Sequence, residues 1–206
     1  MRAVNTSGIP DFTQNAKLLE IFGESGPYYT SYPTHGNWSN PLNHADYVKS
    51  MKDFFLKNGD VPIHIYVHIP FCAKLCFYCI CNIVVTNNRE RMQYFVDYLC
   101  REIDLLGALF AENSIIPNIK EIHLGGGTPS HLENDQLEHI VNKLGGIADL
   151  KGLSEFAMEI DPRTTSQENL KFYNTLGINR ISFGVQDFDT DVQLAINRVQ
   201  PMEMVE

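Results

Sequence analysis

A parallel-sheet α/β fold is what this sequence predicts from residue 61 onward, and three observations carry it. Apolar residues recur alternately at strand period and at helix period. Each change of period falls at Gly, Pro or Asn, the residues that interrupt regular structure. Finally, 44% of the 206 residues are hydrophobic and 20% charged, ordinary proportions for a globular chain long enough to bury one full core.

In chain order, Phe12 to Phe22 reads as a short helix ended by Gly23, and residues 24–43, rich in Gly, Pro, Ser and Tyr, read as an ordered loop. Tyr47, Val48, Met51, Phe54 and Phe55 then return at helical spacing until Asn58-Gly59 stops them. Residues 1–60 are therefore set apart as an N-terminal extension and residues 61–206 as the main domain. Ile63 to Ile69 is β-branched and aromatic, a strand. Met92, Phe95, Val96, Leu99, Ile103 and Leu106 mark one face of a long helix. Glu121 to Leu124 is a second strand running into Gly125-Gly126-Gly127, and Leu137, Ile140, Val141 and Leu144 stripe the next helix, closed by Gly145-Gly146. Phe156 to Ile160 is a third strand. Thr165 and Glu168 have the spacing of a capping box that opens a helix ending near Gly177. Arg180 to Val185 is a fourth strand, and Asp189 caps a fourth helix. Strands alternating with helices imply right-handed crossovers and a parallel sheet. A barrel and an open doubly wound sheet share this rhythm, so periodicity leaves both open.

The balance of charge and cysteine excludes several classes of function. A net charge of −9 argues against a nucleic-acid surface, because phosphate contacts demand clustered Lys and Arg. No stretch approaches the ~20 apolar residues of a membrane span. The start, Met1-Arg-Ala-Val-Asn-Thr-Ser7, lacks the apolar core of a signal peptide. Five cysteines, an odd number packed mostly into one cluster, make no disulfide framework. A reducing cytoplasm fits.

That cluster is the densest chemical signal in the chain. Cys72, Cys76, Cys79 and Cys81 fall within the run Phe71-Cys-Ala-Lys-Leu-Cys-Phe-Tyr-Cys-Ile-Cys81. Soft thiolates select zinc or an iron–sulfur cluster over hard cations. Structural zinc sites usually take two separated pairs of ligands, and no second pair exists here, so the spacing favours iron and sulfur. Two further features stand at strand ends, where parallel-sheet proteins bind ligands. Gly125-Gly-Gly-Thr-Pro129 removes three Cβ atoms in a row, which reads as a tight turn or as a loop that a ligand approaches closely. Glu159 sits inside an apolar strand, where an acid must be paired or hydrogen-bonded. Cys100 lies on the long helix and reads as core. The histidines show no metal-ligand spacing; His68, at the end of the first strand, is either a satisfied structural histidine or a brace for the cysteine loop.

The spacing Cys72-x3-Cys76-x2-Cys79 resembles the signature of the radical S-adenosylmethionine (SAM) superfamily. The wider run from Tyr66-Val-His-Ile-Pro-Phe-Cys72 to Cys79-Ile-Cys81-Asn82, with the Tyr29-Thr-Ser-Tyr-Pro-Thr34 block near the N-terminus, resembles the oxygen-independent coproporphyrinogen III oxidase family within it. The resemblance spans roughly residues 12–200, with its motifs in the family's order. It chooses a partial radical-SAM (β/α)6-type barrel over an open sheet, with about four β/α units present, as though the chain stopped in mid-fold. It implies a [4Fe-4S] cluster on Cys72, Cys76 and Cys79, whose fourth iron is left for SAM. By motif match it gives SAM contacts to Tyr66, Tyr78, Gly126, Gly127, Thr128, Glu159, Gln186 and Arg198. The last two match contacts to a second SAM that the family can hold. Cys81 becomes either a substrate contact or a buried free thiol. Two positions depart from the family pattern: Ile80 stands where glycine is expected, and Tyr28 stands where arginine usually precedes the N-terminal block.

The activity this implies is oxidative decarboxylation of two propionates of coproporphyrinogen III to vinyls, giving protoporphyrinogen IX, with flavodoxin or ferredoxin as electron donor. Two alternatives remain. One is a radical-SAM heme chaperone, against which the Tyr29–Thr34 block and Cys81 discriminate. The other is a non-catalytic, metal-stabilised module.

Overall fold

The computed structural model of the chain describes residues 42–205; the helix expected at Phe12–Phe22, the loop after it and the Tyr29–Thr34 block lie outside the described residues. The described elements are α1 (His44–Asn58), β1 (Ile63–Ile69), β2 (Phe71–Cys72), β3 (Val84–Val85), α2 (Arg89–Glu112), β4 (Ile119–Gly126), α3 (Asn134–Leu144), β5 (Glu155–Ile160), α4 (Gln167–Thr175), β6 (Arg180–Phe183) and α5 (Thr190–Ala195). From His44 on they make one compact unit. Four strands form the main sheet in the order β1-β4-β5-β6, every pair parallel.

That order settles what periodicity left open. Each new strand joins the edge laid down by the one before, so the crossovers all progress in one direction. Right-handed connections then put every helix on the same face. A doubly wound sheet would reverse its strand order; this sheet winds as a barrel does. The alternation of side chains agrees. Val67, Ile69, Ile122, Leu124, Phe156 and Met158 are buried on the helix-covered face, packed with Met92, Val96, Cys100 and Ile103 of α2 and Leu137, Ile140 and Leu144 of α3. The opposite face carries His64, Tyr66, His68, His123 and Glu159, all partly or well exposed. It is the inner face of a partial barrel.

Helix starts follow from their caps. Asn88 accepts from Arg91 N at the head of α2, and Asp189 accepts from Asp191 N and Val192 N at the head of α5, as expected. The α4 box sits one residue later than the sequence reading placed it. Ser166 is the cap, its hydroxyl accepting from Asn169 N while the Asn169 side chain accepts from Ser166 N. Thr165 is instead turned inward, its hydroxyl buried. β6 also stops at Phe183 rather than Val185. Its partner β5 ends at Ile160, two residues before a proline that has no N–H to offer a ladder, and the Gly184 carbonyl is taken by Arg198 Nη2 at 3.0 Å.

Candidate functional site

The C-terminal ends of β4, β5 and β6, with the cysteine loop that follows β1, line one cavity of about 400 Å³. Its floor is assembled by backbone pairing that the sequence does not announce. After β1 the chain turns through Pro70 into the two-residue strand β2, which pairs in parallel with β3. The loop between them, residues 73–83, is thereby closed at its base, and it carries Cys76, Cys79 and Cys81. His68 braces the far side. Its Nε2 donates to the Asn82 carbonyl at 2.8 Å, which leaves Nδ1 to accept from the Tyr66 hydroxyl at 3.3 Å. Of the two readings open for His68, the structure supports the brace.

The glycine run lies against this loop. Gly127 N donates to Ile69 O and Thr128 N to Phe71 O, each at 2.8 Å. A Cβ at Gly127 would stand 2.8 Å from the Pro70 carbonyl carbon and oxygen and from Phe71 O. Gly126 has φ +115° and meets the His68 ring and Ile69 O just as closely. The first duty of these glycines is therefore to let β4 and the cysteine loop touch backbone to backbone, and access for a ligand is secondary. Thr128 is turned into the cavity, where its hydroxyl shares a hydrogen bond with Cys72 Sγ at 3.4 Å. Burial pushes the Cys72 thiol above its ordinary value, with Thr128 opposing.

Glu159 ends β5 and is held from two sides. One carboxylate oxygen lies 3.2 Å from His123 Nε2, and the other accepts from Gly126 N at 3.2 Å. Tyr66 lies stacked on His123 with ring centroids 5.7 Å apart. It is the one residue of the predicted set that does not line the cavity, standing on β1 with 54% of its surface exposed. Burial nonetheless raises its hydroxyl pKa, with Glu159 and Cys81 contributing. Tyr78, Cys81 and Gln186 all reach the cavity wall. Burial raises the Tyr78 hydroxyl against the opposing charge of Arg198, and the Cys81 thiol is raised by burial and by its neighbour Cys79.

Arg198 arrives by a route that no motif reveals. Gln193 on α5 is buried and donates to Asp187 O and Gln200 O, both at 2.9 Å, while accepting from Gln200 N. Asn197, at φ +55°, makes the turn that asparagine tolerates and donates to Leu75 O at 2.7 Å; Phe77 N donates to Ile196 O. The segment after α5 is thus tied to the cysteine loop and delivers Arg198, nine-tenths buried, into the cavity. Its Nη1 reaches Cys76 Sγ at 3.7 Å and Asp161 Oδ2 at 3.4 Å, and its Nε is buried with no partner among the described residues.

Asp161 and Arg163 are the site residues that sequence reasoning missed. They follow Glu159 past the end of β5, and the strand-end argument applied to Glu159 could have found them. Asp161 is buried and Arg163 nearly so, in an ion pair of 2.6 Å. Burial would push the Asp161 carboxyl up, but hydrogen bonds from Arg163 and the charge of Arg198 hold it below the ordinary carboxylate value. Those bonds to Asp161 raise the Arg163 pKa in turn.

The donor set fits an iron–sulfur cube better than a single ion. Three cysteines in the radical-SAM spacing line one cavity, yet among the described residues no three His, Cys, Asp or Glu side chains are grouped to hold one metal ion. Mononuclear zinc draws its ligands to about 2.0–2.3 Å of one centre, whereas in a cube each cysteine takes its own iron. The unpartnered N–H of Arg198 beside these sulfurs suits an anionic group bound there. Cys100, by contrast, is core, 3% exposed on α2.

Comparison with known proteins agrees with this geometry. A profile described as the Radical SAM superfamily matches residues 66–206. The chain is 36% identical over 191 residues to an oxygen-independent coproporphyrinogen III oxidase of Pseudomonas aeruginosa, covering 92% of this chain and 40% of the relative. It is 35% identical over 188 residues to the protein of that name from Salmonella typhimurium, covering 91% and 39%. Among solved structures it is similar to coproporphyrinogen III oxidase (HemN) of Escherichia coli, described as a radical SAM enzyme, with a TM-score of 0.75 and 34% identity over 86% of this chain and 39% of that one. The chain spans about 40% of the length of these relatives. Among the described residues no helix is long and apolar enough to cross a membrane.

Proposed function

The chain belongs to the radical SAM superfamily, whose cofactors are a [4Fe-4S] cluster and SAM, and from that premise we propose that it serves the oxidative decarboxylation of coproporphyrinogen III to protoporphyrinogen IX. The observation that carries this reading is a single one. Cys72, Cys76 and Cys79 share a cavity with Gly126 to Thr128, Glu159 and Arg198, in a chain similar to proteins that bear the oxidase's name.

When bound, the cluster and SAM supply one-electron cleavage of a C–S bond and a 5′-deoxyadenosyl radical that takes hydrogen from a propionate β-carbon. Each propionate would then lose carbon dioxide and pass one electron to a separate one-electron acceptor, and two such rounds would give the two vinyls. The chain's own residues hold and orient. Cys72, Cys76 and Cys79 ligate iron. Glu159, fixed by Gly126 N and His123, is placed to accept from an amino group. Arg198 offers a buried N–H to a carboxylate, and Gly127 and Thr128 border the same space. Tyr78 and Gln186 complete the wall, and Tyr66 stands just outside it. In this reading Gln186 and Arg198 also face a second SAM, and Cys81, exposed beside Cys79, meets the porphyrinogen. A flavodoxin or ferredoxin delivers the electron, and the setting is the reducing cytoplasm. Residues 1–60 are read as an N-terminal extension and residues 61–206 as the barrel portion.

The test is anaerobic. Protein reconstituted with iron and sulfide is supplied with SAM, a one-electron reductant and coproporphyrinogen III. The proposal expects 5′-deoxyadenosine to form, and to vanish when Cys72, Cys76 or Cys79 is replaced by Ala. A fully loaded cluster that cleaves no SAM would contradict it.

A further inference from the structure

The three ligand cysteines are not equivalent. Cys72 Sγ has the neutral hydroxyl of Thr128, while Cys76 Sγ has two guanidinium groups, Arg163 Nη2 and Arg198 Nη1, each at 3.7 Å. The Arg163 contact is held by a rigid frame. Its Nε reaches both oxygens of Asp161 at 3.0 and 3.1 Å, its Nη2 reaches Oδ2 at 2.6 Å, and its own backbone N donates to Oδ1 at 3.0 Å. The Asp161 backbone is anchored in turn, since its N donates to Ser130 Oγ at 3.0 Å. A guanidinium gripped by a carboxylate along its Nε–Nη2 edge has no freedom to swing, and the second N–H of Nη2 is left for the sulfur.

We infer that Arg163, clamped by Asp161, is a positioning residue that fixes an N–H donor on the Cys76 sulfur and thereby raises the reduction potential of the cluster bound there. The assignment rests on the cluster reading above and goes beyond it. Reduction adds one negative charge to a cluster, and hydrogen bonds to its sulfurs and local net charge are among the factors that set its potential. A fixed cation in a mostly buried place favours the reduced state, and no solvent molecule need reorganise to supply it. Arg163 is 18% exposed and Asp161 8%, so screening by salt is weak there. The N–H of Arg163 is directed at one of three ligands, which makes the Cys76 iron the site where added charge is best compensated.

The measurement is a potentiometric titration of the reconstituted full chain, followed by electron paramagnetic resonance of the reduced cluster, with iron and sulfide counted in every sample. A hydrogen bond to a charged group contributes enough to shift an equilibrium about tenfold. Arg163→Gln is therefore expected to lower the reduced-to-oxidised ratio at a fixed potential about tenfold, a shift of about 59 mV to more negative potential for a one-electron couple. Arg163→Lys keeps a cation for Asp161, and so the fold, but loses the Nε grip on the carboxylate that fixes where the Nη2 N–H points. It should shift the same way, and it carries the test if Arg163→Gln fails to assemble. Arg180→Gln removes an equal charge from an exposed pair with Glu155 and should leave the potential where it is. Loaded Arg163 variants with the wild-type potential would overturn the role of Arg163, as would an equal shift from Arg180→Gln. A wild-type chain that assembles no cluster would sink the underlying reading as well.

Discussion

At the scale of single residues, position past a strand end decides most of the chemistry. Gly127 is the sharpest case, because a Cβ there meets carbonyl atoms of Pro70 and Phe71 at 2.8 Å and backbone cannot step aside as a side chain can. Gly127→Ala should cost about 1–3 kcal/mol through overpacking, read as a lowered midpoint in denaturant titration, before any effect on a ligand. A wild-type midpoint would show that β4 and the cysteine loop do not touch as described. Tyr173, which does not line the cavity, offers a pH test. It is 2% exposed, and burial pushes its hydroxyl pKa up to about 12, against about 10 when unfolded. The folded state thus keeps a proton that the unfolded chain gives up. Stability is whole below pH 10 and falls as pH rises toward 12, by about 2–3 kcal/mol in all. Tyr173→Phe should remove that part of the alkaline slope, and an unchanged slope would contradict the burial. The cysteine, glycine and Glu159 positions were legible because each breaks a local rule: soft ligands crowded together, three glycines in a row, an acid in an apolar strand. Asp161 and Arg163 break none, and only their place just past the end of β5 could have marked them. A charged pair beside a proline looks like any surface turn until the fold buries it against Cys76.

At the scale of elements, what was legible is what periodicity encodes. The long apolar face of α2 and the strands β1, β4 and β5 follow from side-chain alternation alone. The misplaced cap of α4 shows the limit. Thr165 and Ser166 are adjacent candidates, each with a side chain three residues on that can complete a box, and only tertiary packing decides between them by drawing Thr165 inward. Ser166→Ala should therefore cost about 1 kcal/mol and Asn169→Ala somewhat less, in thermal or denaturant unfolding. If Thr165 were the true cap, Ser166→Ala would be silent. The β2–β3 pair was illegible for another reason. Two residues a side are too short for any period, and the pairing exists because the cysteine loop must close. At the other edge, all four residues of β6 are exposed, including Ile181 and Phe183. An edge that no other described element covers is a template for pairing with another chain. A charged substitution such as Phe183→Lys should reduce concentration-dependent association in sedimentation, and unchanged association would place the sticky surface elsewhere.

At the scale of the whole molecule, a polar inner face and an apolar outer face make one side of a barrel, and the candidate site lies at the strand ends, around a cavity that the described residues leave open to solvent. Openness has a chemical consequence, since a reactive intermediate is protected only where water is kept out. The 206-residue chain is accordingly expected to cleave SAM uncoupled from decarboxylation, releasing more 5′-deoxyadenosine than carbon dioxide. Equal yields with full conversion to protoporphyrinogen IX would show that the described strands already shield the site. The proposed function requires that Cys72, Cys76 and Cys79 hold a cluster with an iron open to SAM beside Glu159 and Arg198. It is tested most directly by electron paramagnetic resonance of the reconstituted, reduced chain with and without saturating SAM. The expected result is about four irons and four sulfides per chain, a reduced-cluster signal that SAM shifts, and a much weaker shift in Glu159→Gln. Stoichiometric zinc without sulfide, or a cluster signal that saturating SAM leaves unmoved, would contradict it.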